Sequence, residues 1–94
     1  MLELFGTFNN YRGDEDTSVS IYYSQYEDDM CRVRAEIPYD GGIKVLCCNL
    51  PEFEITYSEL LDETDEKILS GIIKDNMPSI LMESKELSKR IEKC

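Results

Sequence analysis

Apolar and polar residues alternate with a period of two along the first half of this chain. That pattern predicts β-strands, because successive side chains of a strand point to opposite faces. Three segments show the alternation, residues 2–8, 17–26 and 31–37. Pro38 ends the third segment, since proline cannot donate a ladder hydrogen bond. The sequence therefore predicts three strands before residue 39.

Residues 43–50 predict a fourth strand, which is apolar on both faces. Its two sets of side chains are Ile43, Val45 and Cys47 on one face, and Leu46, Cys48 and Leu50 on the other. Two arrangements of the helices are open: they cover Tyr22 and Tyr26, which are then half-buried, or they cover the side of Val19, Ile21 and Tyr23. The set that contains Leu46 would then lie exposed beside Tyr22 and Tyr26, as an apolar patch of the kind that marks an interface.

Residues 53–57 alternate again and predict either a short fifth strand or an extended linker. The charged segment Glu27-Asp28-Asp29 is too short for a crossover helix, so it predicts the connection of a hairpin. Residues 38–42 contain two adjacent glycines, which predict a second tight turn.

Beyond residue 58 the spacing of apolar residues changes to three and four, which predicts two helices, at about 59–76 and 78–93. Ser58, Asp62 and Thr64 are each able to cap the first one. The predicted fold class is α+β, with a four- or five-stranded antiparallel β-meander in residues 2–57, followed by two C-terminal α-helices packed on one face.

The length of 94 residues predicts a single domain, residues 1–94. No apolar run approaches the roughly 20 residues that span a bilayer, and the first residues lack the features of a signal peptide. We therefore expect a cytoplasmic protein that does not bind membranes.

Charge is divided unevenly along the chain. Residues 1–66 hold sixteen carboxylates and four basic side chains, a balance of −12, whereas residues 67–94 hold four carboxylates and six basic side chains, a balance of +2. A surface of one sign repels nucleic acid and attracts basic patches on proteins. The composition thus predicts a protein partner with a basic surface and no direct binding of nucleic acid.

The four cysteines lack the paired short spacings that close around zinc. Cys47 and Cys48 are adjacent in a predicted strand, where their side chains point to opposite faces. We expect buried or half-buried free thiols rather than a metal site or a disulfide framework, with Cys94 exposed at the last position.

Nothing in the sequence predicts catalysis, a cofactor or a metal site. Histidine is absent, so general acid or base chemistry near neutral pH would need a strongly shifted carboxylate, cysteine or lysine. Asp14, Asp16 and Ser18 begin like a calcium-binding loop, but Val19 stands where that loop needs glycine and Gln25 where it needs glutamate. We therefore expect a non-catalytic protein.

The candidate partner-binding residues are acidic and aromatic. If the first helix begins at Ser58, four of the acids lie along one helix face; if it begins at Thr64, they lie in a loop. Tyr22 and Tyr26 fall on one face of the second strand, as adaptable contact surface. The full predicted set is Glu52, Glu54, Glu59, Asp62, Glu63, Asp65, Glu66, Tyr22 and Tyr26.

Three functions follow, in order of preference. The first is an acidic protein-binding module that occupies a basic, nucleic-acid-handling site on a host protein. In size and composition, though in no motif, the chain resembles small phage and mobile-element inhibitors of the anti-CRISPR and antirestriction type, which imitate the charge of DNA. The second is an acidic cytosolic domain that acts through homodimerisation, and the third is a small-ligand or metal-binding protein.

Overall fold

The computed structural model describes residues 2–9, 13 and 17–92, and it confirms the predicted α+β fold. Its five strands form one antiparallel sheet in the order β1-β2-β3-β4-β5, so each strand pairs with its neighbour in sequence. The strands and helices are β1 Glu3–Asn9, β2 Ser18–Tyr23, β3 Cys31–Tyr39, β4 Gly42–Leu50, β5 Glu54–Glu59, α1 Glu63–Asp75 and α2 Met77–Glu92.

The first helix begins later in the chain than predicted. α1 begins at Glu63 rather than near residue 59, because Asp62 is the N-cap. Asp62 has an extended backbone, and its side chain accepts a hydrogen bond from the Asp65 amide at 2.7 Å. Ser58 cannot take that role, since β5 runs through it to Glu59.

The pairing of β3 with β4 decides which face of β4 is buried. Leu46 lies opposite Ala35, and directly opposed residues share a face. Ala35 in turn pairs with Ile21, whose side chain is buried. The predicted exposed patch of Leu46, Cys48 and Leu50 is therefore wrong, because all three are buried.

One core joins this sheet face to both helices. Leu69 and Ile73 of α1 and Ile80 and Leu87 of α2 are buried against it. The opposite face of the sheet, here called the outer face, carries Arg34 and Glu36 on β3 and has no helix packed against it in the described part of the chain. The sequence predicts an interface at Leu46, but this residue is buried in the core and has no exposed surface for a second copy to contact.

Serine hydroxyls attach α2 to the connection between β2 and β3. The buried Ser84 hydroxyl donates to the Ser24 carbonyl at 2.7 Å, and the Ser88 hydroxyl donates to the Tyr26 carbonyl at 2.7 Å. The Tyr26 amide donates to the Ser84 carbonyl at 3.2 Å. These bonds hold residues 24–26 against α2 beyond the end of β2, while the Ser24 amide still donates to the Arg32 carbonyl of β3 at 2.9 Å.

The structure confirms free thiols at the three described cysteines. Cys31 and Cys48 are buried, and Cys47 is half-buried on the outer face. Burial, which disfavours the thiolate, raises the pKa of the Cys48 thiol to about 12. Cys94 lies outside the described residues, as do Asp14, Glu15 and Asp16.

Candidate protein-binding site

The hairpin between β2 and β3 turns on two aspartates. Glu27 and Met30 exchange backbone hydrogen bonds of 2.9 and 3.1 Å, and only Asp28 and Asp29 lie between them. Both aspartates have positive φ, 56° and 60°, as the type I′ turn of a two-residue hairpin loop requires. The predicted hairpin is confirmed, and it presents two exposed carboxylates side by side.

A second acidic turn lies at the same end of the sheet. Cys31 pairs with Leu50, so the connection that precedes β3 and the connection that follows β4 are neighbours. Phe53 holds the β4–β5 turn in place, because it packs against the core and lies with its ring 4.8 Å from the Lys74 ammonium. This arrangement brings Glu52 and Glu54 to the hairpin.

The two turns enclose one shallow depression of about 430 Å³. Tyr26, Met30 and Leu50 contribute apolar lining, and none of the described residues that line it is basic. We call its four carboxylates the acidic end: Asp28, Asp29, Glu52 and Glu54.

The remaining predicted acids lie at the opposite end of β5. Glu59 is the last residue of that strand, Asp62 caps α1, and Glu63 and Glu66 fall in the first turn of α1. Only the last two belong to the helix, so of the two alternatives the one with four carboxylates along one helix face does not form.

Asp65, also predicted to bind a partner, is completely buried. Its carboxylate forms an ion pair with the Lys44 ammonium at 3.0 Å, which joins the first turn of α1 to the beginning of β4. A buried, paired carboxylate positions the helix and offers a partner no surface.

The two candidate tyrosines do not share a face. Tyr22 is half-buried on the outer face, opposite Arg34. β2 ends at Tyr23, so the alternation stops there, and Tyr26 packs at the helix side with the Lys85 ammonium 5.0 Å from its ring. Tyr26 therefore joins the acidic end, whereas Tyr22 lies apart from it.

Two polar pairs on the outer face each lie within one strand. Arg34 donates to Glu36 of the same strand, and this hydrogen bond raises the pKa of Arg34. The Tyr57 hydroxyl donates to Glu59 at 2.9 Å, which raises the pKa of Tyr57. Arg34 therefore pairs with an acid of its own strand and not with one across the sheet.

The sequence predicts Asp28 and Asp29 as part of a hairpin connection, but not their meeting with Glu52 and Glu54. A signal for it exists in the predicted topology. In a meander the chain reverses at every connection, so the second and fourth connections lie at one end of the sheet and the first and third at the other. That rule alone assigns each acidic turn to one of the two ends of the sheet.

The acidic end offers four exposed carboxylates to cationic side chains. Exposed carboxylates accept charge-assisted hydrogen bonds from arginine and lysine. Within residues 2–9, 13 and 17–92 no three ligand-type side chains are placed to hold a metal ion, and no helix has the length and apolar character to cross a membrane. Comparisons with protein-family models, curated proteins and solved structures each give no match.

Proposed function

We propose that this chain is a non-catalytic binding protein whose acidic end occupies a basic site on another protein. The observation that supports this is the meeting of two turns around one depression, with four exposed carboxylates and no basic side chain among its described lining residues. Arginine and lysine side chains of a partner would reach these carboxylates, while Tyr26 and Met30 offer contacts to their aliphatic stems.

The partner class that best matches this chemistry is a protein with a nucleic-acid-binding site. Such sites bind phosphates through clustered arginine and lysine side chains. Exposed carboxylates carry the same negative charge as phosphates, so they can occupy these sites in their place. The net charge of −10 disfavours direct binding of this chain to nucleic acid. The function we infer is inhibition of a host nuclease of the restriction or CRISPR type, in the cytoplasm, by a protein of phage or mobile-element origin.

A cleavage assay tests this proposal. Plasmid DNA is digested by a panel of purified restriction endonucleases and RNA-guided nucleases, with and without the protein. We expect inhibition of at least one enzyme, and we expect it to weaken at least about tenfold as salt rises from about 50 to 200 mM, because screening acts on exposed charges. Inhibition of none of the enzymes would contradict the nuclease assignment.

Two matched triple variants locate the surface. D28N/D29N/E52Q neutralises three charges at the acidic end, and asparagine tolerates the positive φ of the hairpin turn. D40N/E63Q/E66Q neutralises three exposed charges at the other end. We expect only the first variant to lose inhibition; loss in the second alone, or in neither, would show that the acidic end is not the binding site.

A further inference from the structure

The strand β5 is unusual because all six of its residues are exposed. It pairs with β4 along one edge, and its other edge is the end of the sheet. Ile55 and Tyr57 remain 39% and 50% exposed on its two faces. An open edge with exposed apolar side chains is a template for pairing with another chain.

We propose that the open edge of β5 binds an extended segment of the partner that carries two basic residues four positions apart. The proposal rests on the proposed function for the sign of the partner's charge, and it adds the backbone geometry of recognition. The bound segment would form a sixth strand, with hydrogen bonds to the β5 backbone and cations facing Glu54 and Glu59.

The register of the sheet places both glutamates on the outer face. Glu59 pairs with Val45, which pairs with Glu36, and Glu54 pairs with Asn49, which pairs with Arg32. Neither Arg32 nor Glu36 is among the buried residues of β3, whose core-facing side chains alternate with them. Glu54 and Glu59 therefore lie on one face, although five positions separate them.

A β-bulge explains this odd separation and sets the spacing of the partner. The register passes from Cys47 opposite Tyr57 to Cys48 opposite Ile55, so Thr56 is an extra residue in β5. β4 covers the distance from Glu54 to Glu59 in four steps instead of five. A regular strand on the open edge would also cover this distance in four steps. Its basic residues would stand at positions i and i+4, opposite the two glutamates, and its residue i+2 would face Tyr57.

Charge argues against a second copy of this chain as the occupant. Antiparallel pairing of two β5 strands over their full length puts Glu54 of each copy opposite Glu59 of the other. Like charges directly opposite each other destabilise a sheet. Each copy also carries a net charge of −10. The same residues that disfavour self-pairing favour a basic strand.

Capped nine-residue peptides test the geometry. The probe is Thr-Val-Arg-Val-Val-Thr-Arg-Val-Thr, and the control of equal charge and composition, Thr-Val-Arg-Val-Val-Arg-Thr-Val-Thr, puts its arginines on opposite faces. NMR titration of the labelled protein gives affinity and backbone amide exchange. We expect slowed exchange in Glu54–Glu59 with the probe, and binding of the control about two- to fivefold weaker, because a lost cross-strand charge pair is of that order.

Two further comparisons separate strand addition from general attraction of charges. N-methylation of the probe's backbone along one edge keeps both arginines and should abolish slowed exchange in β5. The variant E54Q/E59Q should weaken binding of the probe, whereas the control E63Q/E66Q, with the same loss of charge, should not.

Several results would overturn the inference: no binding of the probe, equal binding of the control peptide, or binding without slowed exchange in β5. A dimer of the free protein with β5 amides already protected would also overturn it, in favour of a second copy. Nuclease inhibition without peptide binding refutes only the β5 site. Peptide binding without nuclease inhibition refutes only the nuclease target.

Discussion

The buried ion pair between Lys44 and Asp65 gives the sharpest test of how the helices are held on the sheet. The Asp65 carboxylate is fully buried, whereas 24% of the Lys44 side chain is exposed. Replacement of Lys44 by methionine keeps the aliphatic stem and removes the charge that compensates the carboxylate. We expect the variant to fold with a large loss of stability.

The magnitude follows from the burial of the two partners. Removing one member of a buried ion pair costs about 3–5 kcal/mol. Water reaches Lys44, so we expect a cost below that range, about 2–3 kcal/mol for Lys44→Met. A domain of this size has a free energy of unfolding of about 5–14 kcal/mol. The melting temperature should therefore fall by about 10–20 °C.

Urea unfolding followed by circular dichroism measures the effect, with Asp65→Leu and the double variant as the other members of a thermodynamic cycle. Asp65→Leu alone should cost less than Lys44→Met, because the lysine can turn towards water. The double variant should recover to within about 1–2 kcal/mol of the natural protein, since an apolar pair leaves no buried charge. A loss below about 1 kcal/mol in Lys44→Met, or no recovery in the double variant, would refute this reasoning.

Three more changes test other parts of the fold. Gly71→Ala should raise stability by about 0.5–1 kcal/mol in thermal melts, because Gly71 lies exposed within α1 and nothing lies within 4 Å of an added methyl group; a lower melting temperature would contradict this. Ser84→Ala should lower the free energy of unfolding by about 1–2 kcal/mol in urea, because it removes the hydroxyl that donates to the Ser24 carbonyl. Ser79→Ala, at an exposed position, is the control. A loss in Ser84→Ala no larger than that of the control would contradict a role for this hydrogen bond. Burial raises the pKa of the Cys48 thiol above its unfolded value of about 8.5, so its contribution to stability is complete below that pH and is lost as pH rises towards about 12. Urea midpoints from pH 8 to 11 should fall less steeply in Cys48→Ala, and identical slopes would show that this thiol does not carry the effect.

The strands were predictable because alternation is local, whereas the buried face of β4 was not. Both faces of β4 are apolar, and a period of two cannot distinguish them. The choice depends on the pairing of Leu46 with Ala35, a contact across strands that the sequence does not state. The first residue of α1 was not predictable for a similar reason. Three residues could cap the helix, and the extension of β5 to Glu59, which excludes Ser58, is a feature of the folded sheet. In the structure Asp62 is the cap.

The acidic character of the candidate site was predictable, but the sequence did not show which acids lie together in the fold. Glu52 and Glu54 were selected together with Glu63 and Glu66 because they are near in sequence, yet β5 carries the chain from one end of the sheet to the other between them. Asp65 looked like its acidic neighbours, and no local feature distinguishes a carboxylate that a lysine draws into the core.

The order of elements along the chain has a consequence during synthesis. Every strand pairs with its neighbour in sequence, so the sheet can assemble as soon as β5 leaves the ribosome. The helices that cover its apolar face leave the ribosome only with the next thirty or so residues. During that interval Ile21, Val33 and Leu46 form an uncovered apolar surface on the nascent chain. Chaperones that bind such surfaces would have their opportunity then, before α2 closes the core.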